Sequence, residues 1–481
     1  MPRSLPSRPP APAPRGREIY CNRTLNLRAI KAVGYDMDYT LVHYRVDAWE
    51  QRAYAYLKQK LEDAGWPVVD LDYQPDFAMR GLVIDTAHGN LVKADRFGYV
   101  RQASHGTRRL GFDDQRRVYS RELVDLSEPR WVFLNTFFSL SEACMYAQLV
   151  DRFDERRFSD IVGYADLWRR VHRALDEAHA EGRLKAEIVA RPDEFVEADP
   201  DVALALLDQR AAGKRLLLIT NSDWAYTREI MGRVLQPQLP RGTTWRGLFD
   251  LIVVSARKPD FFSHAAPAFE VVDENGLLRP VNGPLRQGGI YVNGSAGLVE
   301  QLLGLSGAEI LYVGDHLYVD VRVTKDILRW RTALLLRELE REVAESAAAA
   351  GDQARLDELM AEKAAHEHEH AHARLGVLRR QQGYGPAPAA GAGALEARMS
   401  ELRTRLERLD QEIAPLATSL GRLFNATWGP LMRTGGEKSH LAWQVERFAD
   451  VYTSRVSNFL HQTPFAYLRS PRGTLPHEAG D

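Results

Sequence analysis

Asp36 and Asp38 flank a single residue at the end of the short apolar run Ala32-Val33, and the hydroxyl of Thr40 follows. In a strand, alternate residues point the same way, so both carboxylates would project together from its C-terminal end. That is where open α/β sheets bind their ligands. At ~4 Å and an effective dielectric of ~20, two carboxylates repel by about 4 kcal/mol. A hard, oxygen-seeking cation offsets that repulsion, and Mg²⁺ is the usual one. An isolated Asp-x-Asp also serves as a solvated strand end, so the rest of the chain must decide.

Three further stretches carry chemistry of the same kind. Arg215-Leu216-Leu217-Leu218-Ile219 reads as a buried strand and runs into Thr220-Asn221-Ser222. Phe249 to Val254 reads as another, with Lys258 just past its end. Glu309 to Val313 reads as a third and leads into Gly314-Asp315, with Asp320 five residues on. Taken singly, a hydroxyl after a strand is a helix cap and a Gly-Asp is a turn. Their order, each at the end of an apolar strand, is the signal.

This ordered set resembles the haloacid dehalogenase superfamily of phosphohydrolases and, more closely, the cytosolic purine 5′-nucleotidase family. The nearer likeness rests on Asn22-Arg23-Thr24-Leu25, Asp36-Met37-Asp38-Tyr39-Thr40-Leu41 and Arg80-Gly81-Leu82-Val83-Ile84-Asp85-Thr86. It continues through Gly89 to Lys93, Leu134-Asn135-Thr136, Ala256-Arg257-Lys258-Pro259, Gly314-Asp315-His316 and Trp330-Arg331-Thr332. It runs from about residue 17 to 337 and resumes near 418.

The resemblance implies a Rossmann-like core: α/β, a doubly wound parallel sheet, with an α+β cap and a helical hairpin inserted. It implies Asp36 as nucleophile, Asp38 as general acid and base, and Thr220, Asn221 and Lys258 around the phosphoryl oxygens. It implies Mg²⁺ on the Asp36 and Asp315 carboxylates and the Asp38 carbonyl, with Asp320 orienting the lysine or the metal waters. Phe138, Asp176 and His179 match positions that contact the base, while His172 stands where the family has an arginine. Asn135 and Tyr318 match effector positions, but Val321-Arg322-Val323-Thr324-Lys325 replaces a lysine-rich stretch, so nucleotide activation is not carried over. The expected reaction is Mg²⁺-dependent hydrolysis of a nucleoside 5′-monophosphate, purine by the cap residues, through an aspartyl-phosphate that a nucleoside could also intercept. The alternatives are a phosphatase for another small phosphate ester, or a scaffold acting through its helical hairpin.

The elements that must position these residues follow from periodicity. The 481-residue chain exceeds one ordinary core. Residues 1–16 read as a disordered proline-rich tail and 17–46 as the first part of the core. Residues 47–200, which the resemblance makes the cap, read as a helix over 47–65, hairpin strands over 80–126 that include Arg117-Val118-Tyr119, and helices over 137–182. Residues 201–337 alternate helix and strand, which argues for a parallel sheet. Within 338–416, Leu395, Met399, Leu402, Leu406, Leu409, Ile413 and Leu416 repeat as a heptad seam, so an antiparallel coiled-coil hairpin is expected, broken by the loop Gly383 to Gly393. Residues 417–470 read as C-terminal helices, with one apolar face from Leu441 to Phe459, and 471–481 as a tail.

Composition limits the alternatives. A net charge of -2 gives no footprint for a nucleic-acid polymer. Cys21 and Cys144 make no disulfide framework, which suits a reducing cytoplasm. No apolar run is long enough for a membrane span. The hairpin suggests a homo-oligomer, dimer or tetramer. Within it, His366/His370 and His368/His372 form two i,i+4 pairs on different faces, each of a kind that binds Zn²⁺ or Ni²⁺, though polar filler on a solvated helix has the same composition.

Overall fold

The computed structural model describes residues 13–158, 160–386 and 389–473. Most of the proline-rich leader, the end of the C-terminal tail and Ala387-Pro388 of the breaker loop lie outside the described residues. The chain divides into two compact units, one of residues up to 340 and from 431 onward, the other Arg341–Pro430.

In the first unit, β1 (Tyr20–Cys21) and β2 (Ala32–Tyr35) precede α1 (Val46–Asp63). Trp49, Ala53, Leu57 and Leu61 form its buried stripe, and Gly65 and Pro67 follow its end. The cap sheet follows: β3 (Val83–Asp85), β4 (Asn90–Ala94), β5 (Val100–His105), β6 (Arg108–Arg109) and β7 (Trp131–Phe133), all antiparallel, in the order β6-β5-β4-β3-β7. Residues Phe112–Tyr119, between β6 and β7, are the helix α2 and not hairpin strand. Its first turn carries Asp113 and Asp114 and its last turn Arg116 and Arg117, so both ends complement the helix dipole. Helices α3 (Leu140–Asp154) and α4 (Tyr164–Ala180) complete the cap.

The core resumes with α5 (Val202–Ala211), β8 (Arg215–Ile219), α6 (Trp224–Leu235), β9 (Leu251–Val254), β10 (Ala268–Val271), β11 (Leu278–Pro280), β12 (Gly289–Asn293), α7 (Ala296–Leu303), β13 (Ile310–Gly314) and β14 (Arg331–Leu335). The expected doubly wound parallel sheet is present. Its order is β1-β15-β14-β13-β2-β8-β9-β12-β10-β11, where β15 is Val451–Thr453. From β15 to β12 the strands run parallel; β1, β10 and β11 are antiparallel edges. Strand β2 is central because the chain winds outward from it in both directions, first through β8 and β9, later through β13 and β14. β2, β9 and β13 are buried along their whole length, as two-sided burial requires of apolar runs. Gly34 lets β13 pack closely: a Cβ there would meet the Tyr312 ring at 2.8 Å.

The C-terminal stretch departs from the expected helices. α11 (His440–Phe448) stops early, and the chain crosses Asp450 into β15. Fully buried Asp450 accepts hydrogen bonds from Arg331 Nε at 3.0 Å and the Thr332 N–H at 2.9 Å, and pairs with Lys325. That anchoring on the strand-β14 side outweighs continued helical periodicity.

The second unit holds α9 (Ala350–Gln382) and α10 (Ala392–Leu420), after α8 (Leu339–Ala348), which starts just before the unit boundary. Leu359, Leu409 and Ile413 form an apolar cluster flanked by Leu356 and Leu416. Arg355–Glu412 at 3.2 Å, Glu362–Arg405 at 2.5 Å and Glu369–Arg398 at 2.6 Å join the two helices. Each pair lies seven residues further along α9 and seven back along α10, so the helices run antiparallel with heptad spacing.

Candidate functional site

Parallel pairing brings the strand ends together. The Asp36 N–H donates to the Val313 carbonyl at 2.9 Å, and the Thr220 N–H to Val253 at 2.9 Å. Motifs far apart in sequence therefore meet at the C-terminal edge of β2, β8, β9 and β13.

Lys258 is the centre of the group. Its side chain is 2% exposed, and Nζ lies 2.8 Å from Asp36 Oδ1 and 2.8 Å from Asp320 Oδ1. It also donates to the Tyr312 hydroxyl at 3.3 Å, which in turn donates to the Ile219 carbonyl at 3.0 Å. Burial opposes the ammonium charge, yet Asp320 and Asp36 outweigh it and hold the lysine well above its usual range. Burial pushes Asp36 up to about 7, with Asp320 and Asp38 adding and Lys258 opposing. Burial, with Asp320 and Asp36 nearby, also lifts Asp315 well above the carboxylate range.

Asp36, Asp315 and Asp320 each offer an oxygen within 4.8 Å of the others. One lysine cannot balance three buried carboxylates with Asp38 beside them. An all-oxygen donor set with excess negative charge fits Mg²⁺. Asp320 is locked by its own loop: Oδ2 accepts the His316 N–H at 3.1 Å, and the Asp320 N–H donates to the His316 carbonyl at 2.9 Å. Gly314 makes room for it, since a Cβ there would lie 2.4 Å from Asp320 Oδ2.

Asp38 is half-buried, with both oxygens engaged. Tyr44 donates to Oδ1 at 2.5 Å and Ser222 to Oδ2 at 2.6 Å. Tyr44 and Tyr226 hydroxyls lie 2.8 Å apart, and Lys185 donates to Ser222 at 3.1 Å. Thr220 is fully buried, and its hydroxyl accepts the Ser222 N–H at 3.1 Å. Asn221 has a structural task not apparent from its motif. Its side chain brackets the Lys258 backbone, accepting from the N–H at 2.6 Å and donating to the carbonyl at 3.1 Å.

Residues without a role in the motif reading also reach the centre. Arg80, 1% exposed in its side chain, donates to the Asp315 carbonyl at 3.0 Å and to Glu338 Oε1 at 2.8 Å. Thr136 donates to Asp315 Oδ2 at 3.3 Å. Both precede cap elements, so the cap is tied directly to the acidic motif. Both stand in stretches that carry the family likeness, Arg80 to Thr86 and Leu134-Asn135-Thr136, but nothing in those stretches gave either residue a role at the centre.

The cap residues divide. Phe138 packs edge-on against Tyr39 at 4.8 Å and Trp49 at 5.2 Å, beside the first motif. Asp176 and His179 lie on α4, Asp176 exposed and His179 half-buried, with burial lowering the affinity of His179 for a proton. His172 joins α4 to the start of α3 through Glu142 at 2.6 Å, and lies 3.7 Å from Asp176.

The sequence pattern described as the 5′ nucleotidase family matches residues 19–480. A 5′-nucleotidase domain-containing protein of Dictyostelium discoideum is 27% identical over 473 residues, covering 96% of this chain and 75% of that protein. The 5′-nucleotidase domain-containing protein 2 of Homo sapiens is 29% identical over 478 residues, covering 96% of this chain and 85% of its own.

Proposed function

The chain belongs to the 5′ nucleotidase family, and from that premise we propose that it hydrolyses nucleoside 5′-monophosphates, purine ones foremost, with Mg²⁺. The observation that carries this reading is the Lys258 ammonium bridging Asp36 and Asp320 beside Asp315. Phosphoryl transfer asks chiefly for positioning and for charge aimed at the equatorial oxygens. A carboxylate oxygen of Asp36 attacks phosphorus, and the bond to the 5′ oxygen breaks. The leaving oxygen takes a proton from the Asp38 carboxyl. In the second half, Asp38 takes a proton from water, which attacks phosphorus and frees Asp36 and inorganic phosphate. Tyr44 and Ser222 orient Asp38 for both halves. Lys258, with Thr220 and the N–H groups of the loop it begins, receives the phosphoryl oxygens. The Asp36 and Asp315 carboxylates and the Asp38 carbonyl would hold Mg²⁺, whose positive charge would offset the negative charge of the phosphoryl oxygens when bound.

Phe138 supports a base-stacking role, with Asp176 and His179 on the same cap. A nucleoside entering in place of water would make the protein a phosphotransferase. Among the described residues no helix is long and apolar enough to cross a membrane. The two free cysteines support a cytoplasmic setting, and the heptad-spaced ion pairs support a coiled coil between α9 and α10 of one chain; assembly into a homo-oligomer through that coil is part of the same proposal.

The test is phosphate release from ribo- and deoxyribonucleoside monophosphates and simple sugar phosphates, with Mg²⁺, beside Asp36→Asn. Release from IMP or GMP above the rest, absent in the folded variant, is expected. Preference for sugar phosphates overturns the substrate, and full activity in Asp36→Asn overturns the nucleophile.

A further inference from the structure

Four of the 14 histidines fall at alternate positions within about two turns of α9: His366, His368, His370 and His372. Helical geometry sorts them into two i,i+4 pairs on different faces. The structure gives the pairs different surroundings.

His366 is seven residues from Leu359 and seven from Ala373, both buried, so it lies on the line that α9 turns inward. His366 Nε2 is 3.5 Å from Glu362 Oε1, and Nε2 of His370 is buried without a hydrogen-bond partner. These two are occupied by packing. His368 and His372 are exposed, with ring centroids 4.4 Å apart and planes tilted by 56°. Neither has an ion pair or hydrogen bond among the described residues. Around His368 the stripe is small, with Ala364, Ala365 and Ala371, and Glu369, the i−3 neighbour of His372, is turned to Arg398 at 2.6 Å.

We propose that His368 and His372 form a surface site for a borderline divalent transition-metal ion, Zn²⁺ being the probe. Two neutral imidazoles one helical turn apart present ring nitrogens to one ion, leaving its remaining positions to water. The chemistry separates this site from the carboxylate centre: imidazole selects Zn²⁺, Cu²⁺ and Ni²⁺, whereas Mg²⁺ takes carboxylate, carbonyl and water oxygens. The proposal stands apart from the reading of the catalytic centre and needs no activity to test it. A bound ion would clasp one turn of the longer helix of the pair from its solvent side.

The experiment is calorimetric Zn²⁺ titration of the full chain with Mg²⁺ held in excess, so that the catalytic carboxylates do not compete. His368→Ala and His372→Ala are compared with His366→Ala and His370→Ala, with helix content checked by circular dichroism. Loss of a hydrogen-bond partner behind a metal ligand already costs ~10–100-fold, so removing one of two ligands should weaken binding at least about tenfold. Wild-type affinity is expected in the other two variants. A readout on the unaltered chain is mass-spectrometric footprinting with diethyl pyrocarbonate: Zn²⁺ should protect His368 and His372 and leave His366 and His370 unchanged. Zn²⁺ binding indifferent to His368 and His372, or lost equally with His366 or His370, overturns the site, as does footprinting with no protection at the exposed pair.

Discussion

Replacing Lys258 with methionine keeps most of the apolar stem of the side chain and removes its charge. Two carboxylate oxygens at 2.8 Å then lose their cation in a position with 2% exposure. At an effective dielectric of ~20 each contact is worth about 6 kcal/mol of Coulomb energy. The lysine also gives up its hydration on burial, so the net loss is smaller, ~3–5 kcal/mol for breaking a buried pair. The loss depends on pH in a defined direction. Burial already holds Asp36 at about 7 against 3.8 for a free side chain, and Lys258 pulls that value down. A carboxyl raised on folding lends stability that is full below its unfolded value and is lost as pH climbs through its folded value. In metal-free wild type that loss spans pH 4 to 7; in Lys258→Met it extends above 7. The difference between the two proteins should therefore be smaller at pH 5, where the contact with Asp320 alone is lost, and approach the full ~3–5 kcal/mol at pH 8. Urea unfolding in EDTA at the two pH values measures it, and added Mg²⁺ should recover part of the stability. Turnover should fall more than about tenfold, because transition-state charge loses its fixed partner. An equal stability difference at pH 5 and 8, or one under about 1 kcal/mol at pH 8, would refute the coupling of Lys258 to the buried carboxylates.

Gly314→Ala places a Cβ 2.4 Å from Asp320 Oδ2, so the carboxylate must move away from Lys258. Turnover should drop at least about tenfold, with ~1–3 kcal/mol lost from overpacking; wild-type turnover with wild-type stability would remove Asp320 from the lysine's support. Glu50 is fully buried, with one oxygen on the Ser141 N–H at 2.7 Å, the other unpartnered, and burial raising it to about 8. Its fold should lose stability between pH 5 and 9, and Glu50→Gln should flatten that slope by on the order of 4 kcal/mol, read from thermal melts at both pH values. Leu409→Ala opens the apolar cluster with Leu359 and Ile413 and should cost ~2–5 kcal/mol, seen as faster hydrogen exchange across α9 and α10; unchanged exchange would show that the cluster does not hold the pair together.

The residues at the strand ends were legible because each sits beside its own apolar strand. Asp36, Thr220, Lys258 and Asp315 needed no long-range information to be singled out, and parallel pairing does the rest. What holds them was not legible. Arg80 and Thr136 act across long separations in sequence, and Tyr44, though only six residues past Asp38, turns back to it through a loop with no period to read. Two elements were misread for opposite reasons. Arg117-Val118-Tyr119 alternates like a strand, but the acidic start after Gly111 belongs to a helix. Leu441 to Phe459 keeps a helical face, but Asp450 is drawn out of it by Lys325, Arg331 and Thr332. Local periodicity reports the first of these forces and not the second.

The edge of the sheet has a consequence for the order in which the protein comes into being. Strand β15 lies between β14 and β1, pairing Tyr452 with Leu334 on one side and Tyr20 on the other. During synthesis β1 leaves the ribosome first among the strands of this sheet and β15 last. Until then β1 has no partner, and β14 presents an open row of N–H and C=O groups, a template for another chain. α9 and α10 are complete in that interval, as are the residues that hold Lys258. A nascent chain halted near residue 430 would thus carry every residue of the proposed site and still be adhesive, and closing the sheet falls to Val451–Thr453.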